Sequence, residues 1–185
     1  MRRLLLVLVL ALTGCSAGEP APSPDPTAEA VDLEPVTRVD DLTARHVEGP
    51  VDYARVPPLG GDHLARWVAC GAYDEPVPDE AAVHSLEHGA VWVTYDPALP
   101  ADDVAALEEL VGVDEEYVLV SPYEGLPSPV VVSAWGLQIE AERPDDPRVE
   151  AFVQRYVGNG LGGEQGAPCR TSGLPPEQAR ELVGG

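Results

Sequence analysis

Ala90-Val91-Trp92-Val93-Thr94-Tyr95 is a run of β-branched and aromatic residues, the composition of a well-packed strand. Past Pro100 the period changes. Val104, Leu107, Leu110 and Val111 make an apolar stripe at helical spacing that stops at Gly112. Tyr117 to Ser121 returns to strand chemistry, and Pro129 to Ala141 reads as one longer strand with a bulge at Gly136. Val149, Phe152, Val153, Tyr156 and Val157 then fall on one helical face that ends at Gly158. The order strand, helix, strand, strand, helix admits few arrangements. A helix crossover delivers its two strands parallel and right-handed, whereas a short Pro/Gly link delivers an antiparallel pair. A short strand over His46 to Tyr53 and a last helix over Pro176 to Val183 complete the pattern. The expected class is α+β: a mixed sheet of about four strands with two or three helices packed on one face. Such a fold assigns no function.

The first forty residues have a different character. Arg2 and Arg3 precede an unbroken apolar stretch from Leu4 to Leu12, too short for a membrane-spanning helix, which needs roughly 20 residues. It reads as an export signal over residues 1–14. Leu12-Thr13-Gly14-Cys15 resembles the bacterial lipobox, in which the leader is cut before a Cys that carries diacylglycerol. An ordinary secretory signal with Cys15 placed there by accident is the alternative. Buried acyl chains contribute about 0.8 kcal/mol per methylene, so anchoring through two or three of them is stable. Residues 15–40 read as the lipidated Cys followed by a disordered tether rich in Pro, Ala and acidic residues, with Pro at 20, 22, 24, 26 and 35. Residues 41–185 form the single folded domain. The expected location is the outer, extracytoplasmic face of the cell membrane, with the membrane itself as partner through Cys15.

Charge removes whole classes of partner. The chain carries 32 acidic and 11 basic side chains, a formal charge of −21, and every base is an Arg. Cleavage of the leader removes two Arg and no acid. A surface of this sign repels phosphate backbones and anionic headgroups, so nucleic acid is not a partner. The lack of Lys beside abundant Ala, Val, Gly and Arg fits a high-GC bacterium or a salt-adapted organism, and composition does not separate the two.

Setting Cys15 aside leaves Cys70 and Cys169, an even pair in an exported chain. A disulfide between them closes a loop of about 100 residues and stabilises by about 2–4 kcal/mol. Free buried thiols or a metal role are the alternatives.

All four histidines, His46, His63, His84 and His88, lie between residues 46 and 88. If Val83-His84-Ser85-Leu86-Glu87-His88-Gly89 is the end of a helix beginning near Asp79, His84 and His88 share a face. Both then reach one ion at about 2.0–2.1 Å, as Zn or Cu sites require. His63, in the loop Gly60-Gly61-Asp62-His63, supplies a third nitrogen, with His46 or Glu87 assisting. The alternative is structural: paired imidazoles that bond backbone carbonyls and hold a loop on the sheet. Met1, the only Met, leaves with the signal, which excludes a thioether-rich Cu(I) site. His84-Ser85-Leu86-Glu87-His88 also fits the H-x-x-E-H metalloprotease pattern, but Gly89 and a strand follow at once, and no catalytic residue is assigned. Gly158-Asn159-Gly160-Leu161-Gly162-Gly163 follows a helix, so it is a loop and no dinucleotide fingerprint. Trp67, Trp92 and Trp135 read as core or pocket-wall aromatics.

Tyr53 to His63, Cys70 to Val77 and the six residues His84-Ser85-Leu86-Glu87-His88-Gly89 together resemble the bacterial domain-of-unknown-function family 3105. Ala134-Trp135-Gly136 and Pro168-Cys169 extend the resemblance over about residues 40 to 170. The chain departs from the family pattern at Gly60, where Ser is usual. The resemblance implies that the His segment is the family's hallmark and that the domain is exported or membrane-attached. It implies no reaction. Two expectations follow: a lipid-anchored protein that binds Zn or Cu through His63, His84 and His88, or a non-catalytic module docking on an envelope protein partner. A metal-dependent hydrolase is a distant third.

Overall fold

In the computed structural model, residues 30–158 and 161–184 are described. The export signal, Cys15 and the tether up to residue 29 lie outside the described residues. Among the described residues, eight strands and four α-helices follow in chain order: β1 (Thr37–Arg38), β2 (His46–Val47), β3 (His63–Leu64), β4 (Gly71–Ala72), α1 (Asp79–Glu87), β5 (Val91–Tyr95), α2 (Ala101–Glu108), β6 (Val118–Pro122), β7 (Val130–Ala134), β8 (Leu137–Ala141), α3 (Pro147–Tyr156) and α4 (Pro176–Val183). A 3-10 turn, Glu109–Gly112, extends α2.

The main sheet has six strands in the order β1-β8-β7-β5-β6-β4, and β2 and β3 form a separate parallel pair. The fold is α+β with a mixed sheet, as expected. β5 and β6 are parallel across the α2 crossover, and β7 and β8 are antiparallel. The sheet is larger than the four strands expected, for two reasons. Pro129 to Ala141 is a hairpin instead of one bulged strand: Trp135-Gly136 form its two-residue link, and Gly136 takes φ 73°, a conformation open to Gly at no steric cost. β1 and β4 are two residues each, too short to carry a period, and pair only through the tertiary fold. Strand pairing at His46 stops after Val47, because Gly49 turns at φ 76° and Pro50 has no N–H to donate.

A second correction concerns the layers. Helices cover both faces of the sheet. Val91 and Val93, Val118 and Val120, and Val130 and Val132 pack with Leu107 of α2 and Val149, Phe152 and Val153 of α3. The alternate residues Trp92 and Leu119 pack on the other side with Ala81, Ala82, Val83 and Leu86 of α1 and Ala179 of α4. Five-residue strands buried along their whole length (β5, β6 and β7) are what a doubly covered sheet requires. The folded part also begins before residue 41. Leu33 is buried in the first core and Thr37 pairs with Gln138, so Leu33 and the strand Thr37–Arg38, both within the expected tether, belong to the folded domain.

α3 starts at Pro147 with Asp146 as N-cap, its carboxylate accepting from Arg148 N–H at 2.9 Å. Cys70 and Cys169 are joined by a disulfide with a Cα–Cα distance of 5.3 Å. That bond ties the segment after α3 to the strand preceding α1. No helix among the described residues is long and apolar enough to cross a membrane.

Candidate metal centre

Three pieces of backbone bring the imidazoles together. β2 and β3 pair in parallel with His46 opposite His63, so the two rings stand side by side, 5.1 Å between centroids. β3 lies against α1, whose last turn places His84, Glu87 and the capping His88 on one face, at i, i+3 and i+4. His84 stacks on His46 at 4.9 Å and meets His63 at 4.9 Å and His88 at 4.7 Å. Gly89, at φ 108°, ends the helix. The third piece is the segment after α3. Its Gly158 and Gly166 N–H groups donate to Gly89 and His88 carbonyls, at 2.9 and 3.1 Å.

The hydrogen bonds fix the tautomers. His63 Nδ1 lies 2.7 Å from Gly61 O, His84 Nδ1 2.6 Å from Leu64 O, and His88 Nδ1 2.9 Å from Pro168 O. A carbonyl oxygen can only accept, so each Nδ1 carries the hydrogen and each neutral ring keeps its lone pair on Nε2. A backbone acceptor behind Nδ1 is the usual support of a metal-ligating imidazole. His63 is fully buried, and His84 and His88 are 2% exposed. Burial holds His84 down at about 4, against the pull of its bond to Leu64 and with the help of the neighbouring imidazoles. Its ring is therefore neutral and ligand-ready near pH 7.

Glu87 is 4% exposed and is the last residue of α1, where the helix dipole disfavours an anion. Among the described residues no Arg pairs with it. Its Oε2 lies 3.0 Å from His63 Nε2, yet that nitrogen is buried with no hydrogen-bond partner. With the proton on Nδ1, two lone pairs face each other there. A buried carboxylate opposite a free nitrogen lone pair is costly unless a cation lies between them.

The ligand atoms fall into two sets, each within 4.8 Å of one another: His46, His63, His84 and Glu87, and His84, His88 and Glu164. The sequence-expected trio is thus divided. His63 and His84 sit together with both residues named as assistants, while His88 sits with His84 on the other side. Four ligands at about 2.1 Å around a tetrahedral ion stand roughly 3.4 Å apart. His46, the exposed member of the first set, is the side chain placed to close the difference. Sequence reading missed Glu164, which lies 3.3 Å from His88 Nε2 and 3.8 Å from His84 Nε2. One acid among 32 carries no signal; its only mark is a place in the Gly-rich segment.

That segment is a close-fitting cover. A Cβ on Gly162 would lie 2.3 Å from Glu87 O and 2.6 Å from its Cα, and one on Gly163 would lie 3.2 Å from Glu87 Oε1. Trp67 stands 4.6 Å from His88 and donates from Nε1 to Cys169 O, while Trp135 meets His63 edge-on at 5.8 Å. These two tryptophans wall the cluster. Trp92 belongs to the core and donates to Ser121 Oγ. Ser85 is spent on the Val68 carbonyl, to which it donates at 2.7 Å, so it is no nucleophile.

Residues 46–171 match the family described as "Protein of unknown function (DUF3105)". The match takes in all four histidines, Glu87, Glu164 and both disulfide cysteines. Comparison with curated proteins and with solved structures gives no match.

Proposed function

We propose, for a chain that belongs to the DUF3105 family of proteins of unknown function, that the His46, His63, His84 and Glu87 cluster holds one transition-metal ion, Zn²⁺ or Cu²⁺. One observation carries this reading: His63 Nε2, buried and without a partner, faces the buried Glu87 carboxylate. Three nitrogens and one carboxylate suit a tetrahedral Zn²⁺ or a distorted Cu²⁺ site. The ion would offset both the lone-pair conflict and the anion at the end of α1. It would be held outside the cytoplasm, by a domain tethered to the membrane through diacylglycerol on Cys15. The support for that address is Arg2-Arg3, the apolar run Leu4 to Leu12 and the Leu12 to Cys15 motif.

The test is metal content by mass spectrometry on the full chain purified from membranes, after stripping with chelator and reloading. One equivalent in the wild type, absent in His63→Ala and in Glu87→Gln while near-ultraviolet circular dichroism is kept, is the expected result. Recovery of Cys15→Ser in the soluble extracellular or periplasmic fraction tests the anchor.

The 3.0 Å approach of His63 to Glu87 favours a second reading, in which a doubly protonated His63 makes a structural ion pair and the domain serves as an interaction module. That reading expects no stoichiometric metal in the wild type or in either variant and a melting temperature unmoved by added ions.

A further inference from the structure

A cavity of about 530 Å³ opens at the start of α1, at the opposite end of that helix from the imidazoles. Its size lies within the range of small-molecule sites, about 300–1,000 Å³. Pro76, Val77, Pro78 and Val183 give it apolar walls, and Asp79, Glu80 and Glu124 bring three carboxyl groups to it. Arg180 is the one base on its lining among the described residues. That charge is already committed, because Arg180 donates to Pro76 O at 2.8 Å and pairs with Glu75 Oε2 at 2.7 Å.

Glu80 is set apart from surface acids by its burial, at 6% exposed. Its Oε1 accepts from Val51 N–H at 2.8 Å. Among the described residues Oε2 has no partner, and no Arg or His pairs with this side chain. Asp79 likewise has one oxygen occupied: Oδ2 accepts from the Tyr123 hydroxyl at 2.8 Å, and Oδ1 is free. The sealed polar atom left without a partner among the described residues is His63 Nε2. The two free carboxyl oxygens therefore open onto the space that their residues line. The N-terminus of α1 favours acids here, yet burial still pushes Asp79 up to about 6. Glu80 and the hydroxyls of Tyr123 and Tyr53 are the titratable groups that face it. Buried carboxylates without a cation are costly.

We propose that this cavity binds a small organic ammonium ion, its charged head between Asp79 and Glu80 and its hydrocarbon body against Pro76, Val77, Pro78 and Val183. Other occupants match it less well. Among the described residues, Asp79, Glu80 and Glu124 do not form a group whose ligand atoms lie within 4.8 Å of one another, so a metal ion is not held there. An anion would meet three acids, and a neutral apolar molecule would leave both free oxygens unpaired. An ammonium head carries three N–H donors and no acceptor, so it donates to Oδ1 and Oε2 together. Its tail removes apolar wall from water. None of the imidazoles takes part, and the site stands whether or not their cluster holds metal.

Isothermal titration calorimetry of the full chain with hexylammonium at pH 7 tests the site, with methylammonium and hexanol as head and tail alone. Hexylammonium should bind once per chain, and each fragment at least about tenfold more weakly. Glu80→Gln should weaken hexylammonium by at least about tenfold, the loss of one charge-assisted hydrogen bond. At pH 6 Asp79 is about half protonated, and a cation beside it expels about half a proton per ligand. Two amine-free buffers of different ionisation heat read that release, which Asp79→Asn abolishes. Near-ultraviolet circular dichroism is read on both variants alongside. Hexanol binding as tightly as hexylammonium would leave only an apolar hole, and methylammonium binding as tightly would leave only a charged surface. No saturation by hexylammonium up to about 10 mM, or wild-type affinity in both variants, would equally overturn the site.

Discussion

Asp79, the first residue of α1, offers a test of the helix that carries the cluster, from its opposite end. Burial pushes its carboxyl up to about 6, Tyr123 pulls it back by donating to Oδ2 at 2.8 Å, and Glu80 adds repulsion. Moving a carboxyl from 3.8 to about 6 corresponds to about 3 kcal/mol, at about 1.4 kcal/mol for each tenfold. The folded state binds this proton more tightly than the unfolded chain. The contribution to stability is therefore whole below pH 3.8 and lost as pH rises through about 6. His84 runs the other way. Its folded value of about 4 lies below the ordinary 6.5, so its contribution is whole above 6.5 and lost as pH falls through about 4. In the metal-free wild type the two nearly cancel between those limits. Asp79→Asn keeps the shape and removes one of them. Urea unfolding of stripped wild type and Asp79→Asn at pH 4, 5, 6 and 7 isolates the term. Relative to the variant, the wild type should lose about 2.4 kcal/mol between pH 4 and pH 7, or about 5–10 °C in melting temperature for a domain of this size. A difference constant within about 0.5 kcal/mol over that range would refute the burial argument.

Four further perturbations test the packing. Gly162→Ala puts a Cβ onto Glu87 backbone atoms that cannot move aside and should cost about 1–3 kcal/mol by urea unfolding. Gly112→Ala, with nothing within 4 Å of the added carbon, should be neutral or stabilise by up to about 1 kcal/mol. Phe152→Ala empties a fully buried site between α3 and the sheet and should cost about 3–5 kcal/mol by the same assay. Cys70→Ser/Cys169→Ser opens a loop of 99 residues and should lower stability by about 2–4 kcal/mol, read by thermal melting under non-reducing conditions.

Local chemistry made much of this legible in advance. The strand over Val91–Tyr95 and the helices over Pro147–Tyr156 and Pro176–Val183 were readable because each carries its own periodicity or boundary residue. The helix ending in His84, Glu87 and His88 was readable from Asp79 at one end and Gly89 at the other. The parallel pairing of β5 with β6 followed from the crossover between them. The hairpin at Trp135-Gly136 was misread as a bulge because a two-residue link leaves the alternation on both sides intact. The two-residue strands had no period to read. β1 lay hidden in a Pro-rich segment whose Leu33 and Val36 look like tether until the first core is there to receive them.

The site divides in the same way. Sequence by itself determined the donor types and their confinement: four imidazoles within residues 46 to 88, two of them one helical turn apart, and a paired set of cysteines. Those properties need only the 3.6-residue turn and the chemistry of the side chains. Only the tertiary structure decided which donors meet. The β2–β3 register set His46 beside His63, and the packing of β3 on α1 brought both onto His84 and Glu87. The return of the chain after α3 delivered Glu164 and Pro168 to His88. Convergence depends on contacts between segments far apart in the chain, with Pro168 bonded to a ring 80 residues earlier. No local pattern encodes a distance of that kind; it exists once the two cores have formed on either side of the sheet.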